Sequence, residues 1–392
     1  MPKANDQQRA LIVGAGIAGL ATAWWLERAG WDVLIVERAP SFRAGGYMID
    51  FFGPGHEVAR RMGLLPALER RRAPISSVTS VDERGRRRGE ISTEAYEAVA
   101  DGVISLLRGD LADVIRADVR TSVRYGLSVC SIDDGRVTFS DGSAAVFDLV
   151  VGADGVHSTV RELVFGPSAE FVRYLGHHTA AFSFRDPELS ARIGYRYQML
   201  TAPHRMIGCY AVRDGSMAAL MLYRSSSQAV PADPVAALRD RFGDLGWVAS
   251  ELLSVVPQDV YYDEVSQVDM PSWHRGKVVL VGDACGAVSL FAGHGASLAL
   301  TGAHVLVEEL TADPDGAFER YQARMKPAVE HTQEFGRRFI GWMAPGSRWR
   351  ISVRDLALRL SGLPVVRNLI RGSVMPDVDG VLTPATPAGT AA

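Results

Sequence analysis

The sequence is poor in cysteine, has no excess of charge of either sign and does not open on an apolar run. Its three cysteines, Cys130, Cys209 and Cys285, stand far apart, and none forms a CxxC or a metal-ligand spacing. A disulfide framework and a cysteine-based metal site are therefore excluded, and a reducing, cytoplasmic setting is expected. Lys and Arg number 42 against 45 Asp and Glu, a net charge of −3. No broad positive field is available for nucleic acid. Residues 1–9 are polar and lack the apolar core of a signal peptide. No internal repeat is legible. One stretch, 284–307, carries no Asp, Glu, Lys or Arg, but Gly286, Gly293, Gly295 and Gly302 interrupt it and a strand-like run, 278–281, precedes it. It reads as a buried loop entering a buried helix, so no stable membrane insertion is expected.

What is present in excess is glycine, 39 residues in a chain of 392. Hydrophobic residues make up 47% and charged residues 22%, the balance of a folded globular chain long enough for two domains. Residues 10–13 suit a buried parallel strand, 18–29 a helix ended by Gly30, and 32–36 a second strand. Residues 53–72 have a helical pattern and 75–91 that of a hairpin turning at Glu83-Arg84-Gly85. Residues 103–118 read as a strand feeding a helix, and 121–151 as a β-meander. Several β-like runs fill 169–270, a short apolar strand follows at 277–281, and the remainder to about 373 is mostly helical.

The motif Gly14-Ala15-Gly16-Ile17-Ala18-Gly19 lies between the first strand and the first helix. Its first glycine permits the tight turn, its second the approach of a pyrophosphate, and its third close packing of helix on strand. The helix N-terminus then offers N–H groups to phosphate, and Glu37 at the end of the next strand suits ribose hydroxyls. A second motif is Asp154-Gly155-Val156-His157-Ser158-Thr159-Val160-Arg161, which read alone also fits a turn and a helix capped by Ser158. A third is Gly282-Asp283-Ala284, followed by Phe291-Ala292-Gly293-His294-Gly295-Ala296 at a helix start, where a carboxylate could meet a ribityl chain.

Taken together, the three motifs resemble those of the FAD-dependent aromatic hydroxylases, the single-component flavin monooxygenases. The resemblance spans roughly residues 10–330. It implies an α/β fold: a Rossmann-like FAD-binding domain with a β-rich substrate domain and a helical C-terminus. The boundaries expected are 1–75, 96–168 and 274–330 for the FAD-binding domain, and 76–95 with 169–273 for the substrate domain. Helices follow at 331–375, and a disordered tail at 376–392. It implies non-covalent FAD, with NADPH or NADH as co-substrate and O2 as oxidant, acting through a flavin C4a-hydroperoxide. The cofactor residues implied are Gly14, Gly16, Ile17, Ala18, Gly19, Glu37, Arg38, Arg43, Gly46, Arg108, Asp154, Gly155, Asp283, Gly293, Gly295 and Ala296. The stretch 43–50 looks most like the tetracycline-inactivating and natural-product tailoring branch. The sequence departs from the family at Gly286, Leu290, Ser297 and Gly302, where His, Pro, Asn and Asp are usual.

The substrate expected is an apolar aromatic or polycyclic small molecule, with Phe182, Tyr195, Tyr197, Tyr210 and Phe291 as candidate pocket residues. No catalytic acid or base, metal site or nucleic-acid partner is expected, and the protein is read as a monomer or homodimer. An oxidase, dehydrogenase or cyclase on the same fold is the alternative, and a non-catalytic FAD-binding sensor a remote one. The clusters Arg60-Arg61, Arg70-Arg71-Arg72 and Arg86-Arg87-Arg88 suit either solvated faces or a phosphate patch for the nicotinamide cofactor. The basic, partly amphipathic segment 331–372 suits packing on the body or a membrane-surface role.

Overall fold

A computed structural model describes residues 7–42, 46–92, 102–212, 215–360 and 379–382. Apolar runs such as Leu149–Gly152 and Val278–Leu280 are buried along their length, the pattern of strands covered on both faces. They sit in a six-stranded sheet ordered His274–Arg275, Val278–Leu280, Leu149–Gly152, Arg9–Val13, Asp32–Glu37 and Val123–Tyr125. All neighbours in it are parallel except the first pair. From the central strand Arg9–Val13 the chain goes first to one side and later returns on the other. This strand reversal opens a crevice at the carboxyl ends of Arg9–Val13 and Leu149–Gly152, where open α/β sheets bind ligands. Helix Ile17–Arg28 packs against helix Gly295–Ala312 over this sheet.

A second sheet has seven strands, ordered Tyr261–Val268, Val172–Arg185, Ser216–Arg224, Arg205–Ala211, Arg196–Ala202, Ser77–Val81 and Arg87–Ser92. Both faces are buried. One packs Phe182, Ile207 and Met221 with Leu238 and Phe242 of a helix on the outer side. The other packs Tyr197, Met206, Tyr210 and Leu222 with Ile340 and Met343 of the long helix Ala317–Met343, on the side of the first sheet.

Local differences from the sequence reading have physical causes. The expected helix over 53–72 is two helices, Pro54–Arg61 and Leu65–Glu69, because Gly63 takes φ +74° and Pro66 starts the second. The expected meander over 121–151 is confined to Val129–Asp133, Arg136–Phe139 and Ala144–Val146, since Val123–Tyr125 and Leu149–Gly152 pair into the parallel sheet. In the expected disordered tail, Asp379–Leu382 form a 3-10 turn with Val381 buried, whose carbonyl accepts from Arg324 at 3.2 Å. Residues 376–378 and 383–392 lie outside the described residues. Among the described residues, no helix is long and apolar enough to cross a membrane.

Candidate cofactor and substrate site

Two cavities lie in the crevice and share Gly16, Arg108, Ala153 and Gly155 in their walls. The outer one, of 360 Å³, is lined by Gly14, Glu37, Arg38, Asp154 and His157, among others. The inner one, of 150 Å³, runs past Ile17, Ala18, Tyr47 and Asp283 to Leu290, Gly293, Gly295 and Ala296. Together they form a narrow channel from the end of the strand Asp32–Glu37 to the start of the helix Gly295–Ala312.

The glycines of the first motif divide their work as the fingerprint requires. A Cβ on Gly14 would stand 2.5 Å from the Ala153 carbonyl oxygen, and one on Gly19 1.9 Å from that of Gly14. A Cβ on Gly16 would meet nothing within 4 Å, because it faces the channel. Gly16 caps the helix Ile17–Arg28 with no side-chain bond, and the first turn carries no acid. The N–H groups and positive end of that helix are left for an anion. Glu37 accepts from the backbone N–H of Ala15 at 2.9 Å and of Ala39 at 2.8 Å, one on each oxygen. The carboxylate is held in place and keeps lone pairs for hydroxyl donors.

Arg108, at the start of helix Arg108–Asp118, stands where the two cavities join, with Gly46 beside it. Arg108 is exposed to the channel, where the carboxylate of Asp283 favours its charge. Burial pushes the carboxyl of Asp283 up, against the pull of Arg108. Burial likewise raises the phenol of Tyr47, whose ring stands 6.0 Å from that of the half-exposed Tyr261 in the inner cavity wall. Arg43 lies outside the described residues.

The second motif is largely occupied with the fold. Asp154 accepts from Ser158 Oγ at 2.5 Å and from the Val160 N–H at 3.1 Å. Ser158 Oγ in turn accepts from the Arg161 N–H at 2.9 Å and caps the helix Thr159–Phe165. Arg161 is fully buried and donates to the carbonyls of Ala284 and Val156. Gly155, at φ +81° with open space where a Cβ would stand, is the part of the motif that faces the channel.

The structure divides the five candidate substrate residues. Tyr197, Tyr210 and Phe291 share one apolar cluster on the inner face of the second sheet. The rings of Tyr197 and Tyr210 stack at 5.0 Å, and Tyr210 Oη accepts from the Met48 N–H at 2.6 Å. Phe182 falls on the opposite face, in the outer core, and Tyr195 is 65% exposed just before its strand. Neither can line a pocket on the inner side. The arginine clusters do not line the channel. Arg60 and Arg61 pair with Glu57, Arg71 with Asp110 and Asp113, Arg72 with Glu69, Arg86 with Asp82, and Arg87 with Glu90.

Three residues of the site escaped the sequence reading. Tyr47 falls within the stretch 43–50, which does not mark it as a site residue, and Tyr261 comes from a distant segment that carries no motif. Ser289 lines the inner cavity at φ +79°, while its Oγ is buried against Gly336 of the long helix, without a hydrogen-bond partner among the described residues. The strain sits in the backbone of the cavity wall. The departures are also explained in part. Ser297 Oγ accepts from the Gly55 N–H and donates to the Phe52 carbonyl, both at 2.8 Å. At Gly286 a Cβ would stand 2.8 Å from Val329 Cγ1.

The bare helix end, the free face of Gly16 and the anchored Glu37 fit a long dinucleotide. The chain belongs to the FAD binding domain family, which residues 7–335 match. It is 38% identical over 346 residues to an uncharacterized protein of Mycobacterium tuberculosis, covering 82% of this chain and 91% of that one. It is 33% identical to a flavin-dependent monooxygenase of an unknown prokaryotic organism, covering 84% and 88%. The crystal structure of tetracycline destructase Tet(55) superposes with a TM-score of 0.78 at 30% identity, covering 94% of this chain and 97% of that one. These relationships place the chain among the FAD-dependent monooxygenases.

Proposed function

We propose that the protein holds FAD non-covalently in the channel and uses NADPH or NADH and O2 to place one oxygen atom on an apolar aromatic or polycyclic small molecule. The observation that carries this reading is the run of two adjoining cavities from Glu37 past Arg108 to Gly293, whose wall residues Tyr47 and Leu290 pack against the cluster of Tyr197 and Tyr210. In it, Glu37 would accept from ribose hydroxyls, and the Gly16 end of the helix would take the pyrophosphate. Asp283 would meet the ribityl chain, and residues 293–296 the edge of the ring system. When bound, FAD supplies hydride acceptance and oxygen activation.

The chain supplies position and surroundings. The Tyr47 and Tyr261 phenols are neutral donors in the inner cavity wall, and Arg108 places a fixed positive charge where the two cavities join. The cluster of Phe291, Ile340 and Met343 excludes water from the inner side of the sheet. Similarity to tetracycline destructase supports a polycyclic substrate. The test is consumption of NADPH or NADH together with O2 in the presence of phenols, polyketides and tetracyclines, with the product mass read alongside. A gain of one oxygen atom is the expected result, and failure of every candidate to gain oxygen would sink the proposal. The strained Ser289, followed by Leu290 in place of proline, favours one second reading, a flavin oxidase, dehydrogenase or cyclase. In that case the substrate would be oxidised with no oxygen incorporated.

A further inference from the structure

The proposed chemistry does not use the helix Arg348–Arg359, and the outer face of this helix is apolar. Trp349, Val353 and Leu356 are 65%, 56% and 54% exposed, and Leu360, just beyond the helix, is 40% exposed. Their spacing of four, three and four residues puts all four on one stripe. Scattered exposed apolar residues are ordinary, but a contiguous stripe marks an interaction surface. The helix cannot roll to hide it. On the inner face Leu358 is buried, Arg354 pairs with Asp355 at 3.0 Å, and Ser80 Oγ donates to Asp355 at 2.8 Å.

The surroundings of the stripe are positive. Arg348 and Arg359 flank it on one side and Arg350 on the other, as 100° per residue dictates. Arg359 also donates to the carbonyl of Arg88, which brings the turn of the neighbouring hairpin alongside. A groove of 570 Å³ opens there, lined by Arg84, Arg88 and Arg348 among others. Among the described residues, Arg84, Arg88, Arg348, Arg350 and Arg359 form no ion pair. Of the carboxylates lining the groove or beside it, Asp82, Asp244 and Asp355 are each held by an arginine, Arg86, Arg205 and Arg354, which leaves Glu83 alone against these five arginines. The whole chain carries a net charge of −3, so this concentration is local.

We propose that this face docks on the surface of an anionic phospholipid bilayer. Trp349, Val353, Leu356 and Leu360 would enter the boundary between headgroups and acyl chains, with the arginines on the phosphates. The charge pattern selects this occupant. A second copy of the helix would set arginine against arginine on both flanks. A bilayer offers an apolar layer at the depth of one helix face under a sheet of negative charge. The inference does not depend on the substrate.

The test is flotation of the full-length, FAD-loaded protein with vesicles of phosphatidylcholine alone and of phosphatidylcholine with about 30% phosphatidylserine. The protein is expected to float with the anionic vesicles and not with the neutral ones. The double variant Val353→Glu with Leu356→Glu, and separately Arg348→Glu with Arg350→Glu, should each lower the bound fraction about tenfold or more. Both should keep the bound flavin and the melting temperature of the parent. Absence of flotation, equal flotation with neutral vesicles, or variants that bind like the parent would each overturn the proposal. So would a concentration-dependent dimer, in place of flotation, that the Val353→Glu and Leu356→Glu pair abolishes.

Discussion

The buried guanidinium of Arg161 donates to the backbone carbonyl of Ala284 across 3.0 Å. It thereby ties the turn after the strand Leu149–Gly152 to the loop after Val278–Leu280. Arg161→Ala would orphan that carbonyl and the carbonyl of Val156, and leave a hole where a fully buried side chain stood. A loss of about 3 kcal/mol is expected. Thermal melting with and without added FAD measures it, and a variant that melts like the parent would refute the tie.

Gly14 and Gly16 should fail in different ways. Gly14→Ala forces a Cβ against the Ala153 carbonyl at φ +105°, so loss of folded protein is expected. Gly16→Val sets its Cβ in open space and should fold, but its side chain enters the channel. Soluble, colourless protein is the expected product of the second change. Normal flavin content in Gly16→Val would mean that the pyrophosphate does not pass there.

Ser289 offers a separation of stability from function. Its φ of +79° suits glycine, so Ser289→Gly should stabilise the fold by about 1 kcal/mol. The hydroxyl is buried against Gly336 and not in the channel, so flavin content and kcat should stay those of the parent while Tm rises. Ser289→Ala should leave both unchanged without the gain in Tm. A Tm of Ser289→Gly at or below that of the parent would refute the strain.

Restoring the family's histidine at Gly286 should damage the protein. A Cβ there would stand 2.8 Å from Val329 Cγ1 of the long helix. Gly286→His is expected to cost about 3 kcal/mol through overpacking. Denaturant unfolding measures this, and a neutral result would mean that the helix gives way.

His157, in the turn after the strand Leu149–Gly152, and Asp263 of the second sheet meet at 3.1 Å. The hydrogen bond to Asp263 raises the His157 pKa above its ordinary 6.5. The stability this pair adds is therefore fully present below pH 6.5 and lost as pH rises through the raised value. For a half-exposed pair the effect is about 0.5 kcal/mol. The Tm difference between the parent and His157→Gln should shrink between the acid and alkaline sides of that window. A difference independent of pH would argue against the pair.

The sequence shows most clearly what local backbone demands. Gly14, Gly16, Gly19 and Glu37 are legible because tight turn, bare approach and strand end all fall within one short unit. Which aromatic residues face the flavin is not legible. The second sheet buries both faces, so alternation along a strand cannot tell Tyr197 from Phe182. Tyr195 shows the same limit at an element boundary, where one position before the strand is solvent. The use of Asp154 as a helix anchor depends on a turn that its motif does not distinguish from a ligand site. The φ of Ser289 is imposed by packing from elsewhere in the chain.

The two sheets are threaded through one another. The first takes strands from both Arg9–Val13 and Val278–Leu280, and the second from both Ser77–Val81 and Tyr261–Val268. A chain leaving the ribosome can therefore close neither sheet until its later strands emerge. The early strands must wait with their edges and apolar faces uncovered, the condition in which aggregation competes with folding. It follows that neither sheet can be cut out as a continuous fragment, and that yield in a cell depends on what shields the nascent amino-terminal third.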